Sequence, residues 1–190
     1  MGEKVIIDNF LDDFGSFRKY CDELSYTGIT NSKDNVFYPD LNDKIPNKVK
    51  EEIVKKLLKD ELEPKFSELF LRMSCAGVDC PHEVHTDSLM NQYSLMFYVN
   101  RLEDCIGGTS FLRHKETGLQ YDPVNEKQLK VWQRDMNIRD KWDIVDYCHM
   151  IPNRALLFET NQMHRAEPIG GFGDSPKNGR LVLTGFFSYD

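Results

Sequence analysis

The spacing of apolar residues divides the chain into a helical first third and a strand-rich remainder. Apolar side chains recur at steps of three and four residues over 8–25 and 47–62, which predicts two amphipathic helices, the second ending at Pro64. The stretch 28–47 between them is polar, rich in turn-forming residues and without periodicity. We expect it to form a loop near the mouth of a pocket.

From Phe66 onward the pattern changes to short β-rich runs separated by Gly, Pro, Asn or Asp. The runs read ELFLRMSC, EVHTD, YSLMFYV, TSFLRH, IVDYCHM, RALLFE and RLVLTGFFSY. Seven or eight strands suit a double-stranded β-helix, or jelly roll, so we expect a mainly β fold with flanking helices. The whole chain, 1–190, is predicted to be a single domain in which a helical N-terminal part, 1–64, packs on a jelly-roll core at 65–190.

One charged segment, residues 123–142, interrupts the series of strands. Its apolar residues have mixed spacing, so the pattern predicts no regular amphipathic face. Two interpretations stay open. The segment is either a solvated connecting helix, which we favour, or a lid over a pocket.

Composition limits the classes of function. Hydrophobic residues make up 40% of the chain and charged residues 29%, which is typical of an ordinary folded domain. The net charge of −7 argues against nucleic acid as a partner, and no run of 18 apolar residues predicts a membrane span. The N-terminal residues lack the apolar core of a signal peptide, so we expect a cytoplasmic protein. No prediction of the oligomeric state follows.

The strongest chemical signal is the motif His85-Thr86-Asp87 together with His164. In an extended segment the side chains of His85 and Asp87 leave the same face, and one further histidine completes a ligand set on one side of a metal ion. Two imidazoles and one carboxylate form a facial triad with three open coordination positions, which suits non-haem Fe(II) that binds a co-substrate and O2. We therefore predict that His85, Asp87 and His164 are the metal ligands and the catalytic centre.

Cysteine is a weaker candidate for metal binding. The chain has five cysteines and no CxxC spacing, which favours reduced thiols over a disulfide framework. Cys75 and Cys80 flank a predicted loop and remain an alternative metal pair, although thiolate pairs that bind zinc usually lie closer in sequence.

Four segments, in their order along the chain, resemble the Fe(II)- and 2-oxoglutarate-dependent dioxygenases, in particular their prolyl-hydroxylase-like branch. The segments are HTD at 85–87, LMFYVN leading into GGTSF, NRALLFETNQMHRAEP, and NGRLVLTGFF. That family places the first metal motif before a Tyr-x-Asn strand, Gly-Gly-x-x-Phe, the distal histidine and finally a basic residue. The resemblance covers residues 66–190.

The resemblance implies that Fe(II), 2-oxoglutarate and O2 bind together, with ascorbate as a further candidate cofactor. The distal carboxylate of 2-oxoglutarate would pair with Arg180, because a guanidinium can hold a carboxylate bidentately. Thr184 shares the strand face of Arg180, and both Thr184 and Tyr98 match positions that donate to the same carboxylate in relatives. Arg165 and Arg154 are the alternatives to Arg180, since the connection from the distal histidine is longer here than in many relatives.

One retained residue, one departure and three neighbouring residues qualify the resemblance. The retained Asp87 points to hydroxylation, because related halogenases typically have a small residue there. Cys75 stands where many prolyl-hydroxylase relatives have a tyrosine, so their substrate contacts are not carried over. We prefer loop or pocket packing for His82, whereas Arg113 and His114 either face the pocket or end an exposed strand.

The function that the resemblance implies is hydroxylation of a C–H bond with release of succinate and CO2. The substrate would be a small molecule, an amino acid or a peptidyl side chain, and prolyl hydroxylation is the most specific version. One alternative is a non-catalytic sensor that binds metal and 2-oxoglutarate. A purely structural jelly roll and repair of alkylated nucleic acid are less favoured.

Overall fold

The computed structural model describes residues 4–30, 37–80 and 82–189. Within these ranges the strands are β1 (Val5–Ile7), β2 (Ile29–Thr30), β3 (Phe37–Tyr38), β4 (Leu41–Asn42), β5 (Lys65–Ser74), β6 (Tyr93–Tyr98), β7 (Gly108–His114), β8 (Trp142–His149), β9 (Arg154–Glu159), β10 (His164–Glu167) and β11 (Arg180–Ser188). The helices are α1 (Phe14–Asp22), α2 (Asn47–Lys56) and α3 (Glu126–Asp135), with short 3-10 turns at Leu102–Asp104 and Arg139–Lys141.

Two antiparallel sheets form the core of the fold. The large sheet has the order β1-β9-β6-β11-β5-β4 and the small sheet the order β10-β7-β8, while β2 and β3 pair separately. The sheets face each other across a buried inner cluster, to which both contribute: Tyr98, Phe111, Cys148, Met150, Leu156, Phe158, Phe172 and Val182. This arrangement is the mainly β jelly roll that the sequence predicts.

The side chains of β11 alternate between two hydrophobic clusters, one on each face of the large sheet. Leu181 and Leu183 belong to an outer cluster, in which α1 and α2 pack on the back of the large sheet. Arg180, Val182 and Thr184 lie on the opposite face, towards the small sheet, because successive side chains of a strand point to opposite sides. Burial on both faces explains why nearly all of RLVLTGFF is apolar.

Both predicted N-terminal helices exist but are shorter than their apolar periodicity indicates. The chain before α1 is held in another geometry, because Phe10 and Leu11 donate backbone hydrogen bonds to Asn153. The helix begins after Asp13, whose side chain accepts from Ser16 N at 3.3 Å. α2 ends at Lys56 because a turn with left-handed residues follows.

The predicted loop at 28–47 contains the short strands β2, β3 and β4, and its central part, 31–36, lies outside the described residues. The charged segment 123–142 contains the favoured helix, α3, followed by a 3-10 turn. α3 packs Trp132 against a third cluster on the outside of the small sheet, formed by Val84, Leu112, Leu119, Trp142 and Met163. No helix in the described ranges is long and apolar enough to span a membrane.

Candidate metal centre and co-substrate site

The two histidines of the predicted triad are joined through their backbones. His85 N donates to His164 O at 3.1 Å, and His164 N donates to His85 O at 3.0 Å. The run EVHTD, predicted to be a strand, is reduced to this single bridge. The chain then turns, because Asp87 N donates to Thr160 O at 2.7 Å and Asp87 O accepts from Met90 N at 2.8 Å.

The side chains of His85, Asp87 and His164 converge, with one donor atom of each lying within 4.8 Å of the others. Asp87 Oδ2 is 3.3 Å from His164 Nε2, and Asp87 Oδ1 is 3.8 Å from His85 Nε2. Two imidazoles and one carboxylate this close together are a donor set that could hold one metal ion.

Backbone carbonyls fix which nitrogen of each histidine faces the triad. His164 Nδ1 is 2.9 Å from Gln162 O, and His85 Nδ1 is 3.3 Å from Glu83 O. A carbonyl only accepts hydrogen bonds, so each Nδ1 carries a proton and donates it. The lone pair of each neutral ring is then on Nε2, the atom that faces Asp87, as in many metal-binding histidines.

The charges of the triad are strongly coupled in the absence of metal. Dense surroundings and the neighbouring charge of His164 lower the pKa of His85 to about 4, so its imidazole is neutral near pH 7. Burial opposes charge on the other two groups. The hydrogen bond between them outweighs it, because it raises the pKa of His164 and lowers that of Asp87. A cation is thus favoured beside Asp87, whether a proton on His164 or a metal ion.

The triad is open on one side and walled on the other. The side chains of His85 and Asp87 retain 31% and 20% of their accessible surface, whereas His164 retains 3%. The rings of Phe158 and Phe111 cover His164, with centroids 4.8 and 6.4 Å from its own. Ligands could therefore approach from the side of His85 and Asp87, while apolar rings exclude water behind His164.

Helix α3 supports the segment that carries the HTD motif. Trp132 Nε1 donates to Val84 O at 2.9 Å, and Val84 N donates to Met136 O at 3.1 Å. Val84 directly precedes His85 and is fully buried. In the structure 123–142 therefore braces the HTD segment from outside the small sheet.

Arg180 is a buried cation on the inner face of the large sheet. It is 3% exposed, and its NH2 group donates to Gly108 O at 3.3 Å, while its Nε has no hydrogen-bond partner. Among the described residues no carboxylate forms an ion pair with it. Burial lowers its pKa, and the charge of Arg72 acts in the same direction. A guanidinium in this condition is ready to accept an anionic ligand.

The two hydroxyls predicted to accompany Arg180 lie on the same face of the large sheet. Tyr98 pairs with Val182 in the strand register, and its hydroxyl donates to Thr109 Oγ1 at 2.9 Å. Burial raises the pKa of Tyr98, which keeps it protonated. Thr184 is 6% exposed, and its hydroxyl contacts only Met96 Sδ, at 3.8 Å, so it can still donate to a ligand.

Asn100 holds the backbone on both sides of Arg180. Its amide nitrogen donates to Gly179 O at 2.7 Å, and its amide oxygen accepts from Leu181 N at 2.8 Å. The side chain is fully buried, so both bonds are shielded from water. This gives a physical reason for Asn in the Tyr-x-Asn pattern, which sequence reasoning used only as a marker.

The loop between β10 and β11 closes the barrel at the Arg180 end. Phe172 inserts into the inner cluster, its backbone nitrogen donates to Ser74 O at 3.2 Å, and its carbonyl accepts from Arg180 N at 3.3 Å. The Gly-Gly step lies beside it. Gly107 has φ +73°, and a Cβ there would lie 2.1 Å from Glu167 O, so only glycine fits where β7 begins beside β10.

Sequence reasoning missed Arg72, which lies on the same face of the large sheet as Arg180. It is exposed, lies on β5 opposite Val182 and contributes to the lowered pKa values of His85 and Asp87, after the larger effects of burial and of the triad itself. The signal was present in the alternation of LRMS, where apolar Leu71 and Met73 alternate with polar Arg72 and Ser74.

The remaining candidates are engaged elsewhere. Arg154 pairs with Asp8 at 2.6 Å, and Arg165 pairs with Glu167 at 2.6 Å, whereas Arg180 has no such partner in the described chain. His82 and Arg113 are exposed, and Arg113 lies 3.7 Å from Asp143. His114 is fully buried and bonds Thr117 and Asp135. Within the described ranges, the group of three possible metal ligands includes neither Cys75 nor Cys80.

The facing antiparallel sheets and the converging His, Asp and His side chains define a jelly-roll protein with a candidate metal site. More particularly, the chain belongs to the family of unknown function DUF6445, whose model matches residues 2–187.

Two solved structures are similar to the chain at low identity. One, IDO from Bacillus thuringiensis, is 16% identical with a TM-score of 0.45, and the match covers 98% of this chain and 93% of that one. The other is a prolyl hydroxylase from Trichoplax adhaerens in complex with a hypoxia inducible factor oxygen degradation domain peptide fragment. It is 11% identical with a TM-score of 0.41, and the match covers 97% of this chain and 83% of that one. No curated protein matches.

Proposed function

We propose that the protein is an Fe(II)- and 2-oxoglutarate-dependent dioxygenase that hydroxylates a C–H bond of a small molecule, an amino acid or a peptidyl side chain. One observation carries this proposal. A His-Asp-His cluster has an accessible side, and a buried arginine without a carboxylate partner in the described chain lies on the face of the large sheet that is turned towards the small sheet. The first suits a metal that needs open positions, and the second suits a co-substrate with a carboxylate.

His85, Asp87 and His164 would hold the metal, and Arg180 would receive the distal carboxylate of 2-oxoglutarate with help from Thr184 and Tyr98. Bound Fe(II) supplies O2 activation at the open coordination positions. The chain itself holds the two imidazoles in the correct tautomer, positions the co-substrate and excludes water with Phe158 and Phe111. One oxygen atom of O2 enters the product alcohol and the other enters succinate, while 2-oxoglutarate loses CO2.

The test is an anaerobic titration of purified protein with Fe(II) and 2-oxoglutarate, followed by the weak visible charge-transfer band of a keto acid chelated to ferrous iron. We expect the band to appear in the natural protein and to be absent from His164→Ala. Arg113→Gln serves as a control, since this arginine lies on the exposed side of β7. Absence of the band from folded, iron-loaded protein would refute the proposal.

Exposing the anaerobic complex to air distinguishes an active oxygenase from a non-catalytic sensor. An oxygenase releases succinate slowly even without its substrate, or faster when the substrate is supplied. A protein that forms the band but never yields succinate would be a metal- and 2-oxoglutarate-binding sensor.

A further inference from the structure

We propose that Arg72 binds a carboxylate of the substrate, so that the protein acts on a small carboxylic acid such as a free amino acid. This inference rests on the proposed oxygenase function and narrows its substrate class. It follows from the position of Arg72, from its lack of a partner and from the balance of charge in the cavity.

The strand register sets the direction of the Arg72 side chain. Leu71 and Met73 pack in the outer cluster beneath α1 and α2, so Arg72 points to the opposite face of β5. Its register partner on β11 is Val182, a member of the inner cluster. Arg72 therefore lies on the same face of the large sheet as Arg180, two strand positions away from it in register.

The inner face on which Arg72 lies is turned towards the small sheet, whose strand β10 begins with His164. A carboxylate held by Arg72 would thus lie on the side of the large sheet that faces the candidate metal position.

Arg72 is available for a ligand. It is exposed, and in the described ranges it forms neither an ion pair nor a hydrogen bond through its side chain. Other arginines of this acidic protein have found carboxylates, as Arg154 has with Asp8 and Arg165 has with Glu167. In the described part of the chain, Arg72 and Arg180 lack a carboxylate partner although the net charge is −7.

Charge balance assigns the partner of Arg72 to the substrate. A divalent metal, Asp87 and a doubly negative 2-oxoglutarate together leave one negative charge, which Arg180 neutralises. The positive charge of Arg72 then remains. Because one carboxylate cannot pair closely with two separate guanidinium groups, Arg72 is left free to pair with an anion of the substrate.

The experiment uses full-length protein with Fe(II) and 2-oxoglutarate. The probes are the standard amino acids as free acids, each matched with its C-terminal amide. Binding is followed by the change of the charge-transfer band under anaerobic conditions, and coupling by succinate release in air. The variants are Arg72→Gln and Arg72→Lys, with Arg113→Gln as the matched control, because it is also an exposed strand arginine but is near Asp143.

We expect at least one free acid to perturb the band and stimulate succinate release, and its amide to bind about tenfold or more weakly. Arg72→Gln should weaken binding of the acid by a similar factor. Arg72→Lys should bind the acid with an affinity between those of the natural protein and Arg72→Gln. The concentration of 2-oxoglutarate that half-saturates the protein should stay unchanged in both variants and in the control.

Three results would overturn the inference while leaving the oxygenase intact. They are amides that bind as well as acids, a natural protein with a normal band that no acid perturbs, and an Arg72→Gln variant whose main defect is weaker binding of 2-oxoglutarate. In the last case Arg72 would serve the co-substrate. Absence of the band from the natural protein would instead refute the oxygenase and the inference together.

Discussion

Replacing Arg180 with methionine is expected to stabilise the ligand-free protein and to abolish binding of 2-oxoglutarate. The buried Nε of Arg180 lacks a partner, which costs about 1–3 kcal/mol, whereas its one hydrogen bond, to Gly108 O at 3.3 Å, returns about 1 kcal/mol. Methionine keeps a similar volume without the charge. The net gain of up to about 2 kcal/mol should raise the Tm by up to roughly 4–8 °C.

The loss of function should be larger than the gain in stability. Two charge-assisted hydrogen bonds to a carboxylate contribute about 3 kcal/mol or more, so the Kd for 2-oxoglutarate should rise by at least about 100-fold. Thermal unfolding followed by circular dichroism, with and without Mn(II) and 2-oxoglutarate, measures both effects. The ligands should raise the Tm of the natural protein much more than that of the variant.

Arg165→Met is the matched control for this experiment. Arg165 is also a buried arginine with one nitrogen, NH1, that lacks a partner, but it pairs with Glu167 at 2.6 Å. Its removal takes the ion pair from a partly buried carboxylate, which keeps only the hydrogen bond from Ser110 in the described chain. That variant should lose about 3 kcal/mol of stability. If Arg180→Met were destabilised to the same extent, Arg180 would be a satisfied structural residue, and the argument for an anion site would fail.

Three further predictions concern the triad, the backbone around the buried arginine and the support of the small sheet. His164→Ala should lose Mn(II) binding, measured by electron paramagnetic resonance, yet keep cooperative unfolding; retained binding would remove this histidine from the ligand set. Asn100→Leu should lower the free energy of unfolding in urea by about 2 kcal/mol, because it leaves a buried carbonyl and a buried amide unpaired, and should also weaken binding of 2-oxoglutarate. Asp135 accepts hydrogen bonds from Arg134 and His114, which hold its pKa at about 2, so this carboxylate stabilises the fold above about pH 4 and the contribution is lost as the pH falls towards 2. Asp135→Asn should therefore cost about 1–2 kcal/mol at pH 7 and flatten the decline of stability between pH 4 and 2, whereas an unchanged acid profile would assign that decline to other groups.

The sequence predicted the jelly roll because strands can be recognised from the local pattern of residues. RALLFE matches β9 from end to end, and the other main strands agree to within a few residues, since each run of alternating or fully apolar residues ends at a turn former. The helices were overestimated because periodicity does not reveal where backbone groups find other partners. Phe10 and Leu11 show this, as both continue the apolar pattern of α1 but bond to Asn153.

The residues of the candidate site that belong to a motif could be predicted from the sequence. Those whose position depends on the register of strand pairing could not. His85, Asp87 and His164 do come together. The run EVHTD does not form the predicted strand, and its backbone hydrogen-bond partners, Thr160 and His164, are distant in the sequence. Arg72 could not be assigned in this way. An arginine in a strand usually faces solvent, and the pairing of β5 with β11 is needed to show that this one shares a sheet face with Arg180. The chemical roles of these residues remain predictions.

The backbone bridge between His85 and His164 bears on how a metal would enter and leave. Because two peptide hydrogen bonds hold these strand segments together, the fold does not need an ion to bring the histidines into contact. A chelator should then remove the metal without unfolding the protein, whereas a zinc finger unfolds when its metal is removed. A ready-made set of two imidazoles and one carboxylate also accepts Co(II), Ni(II) or Zn(II), which bind such donors more tightly than Fe(II). Which ion occupies the protein in a cell would therefore be decided by supply, and preparations could be inactive simply because they had exchanged their metal.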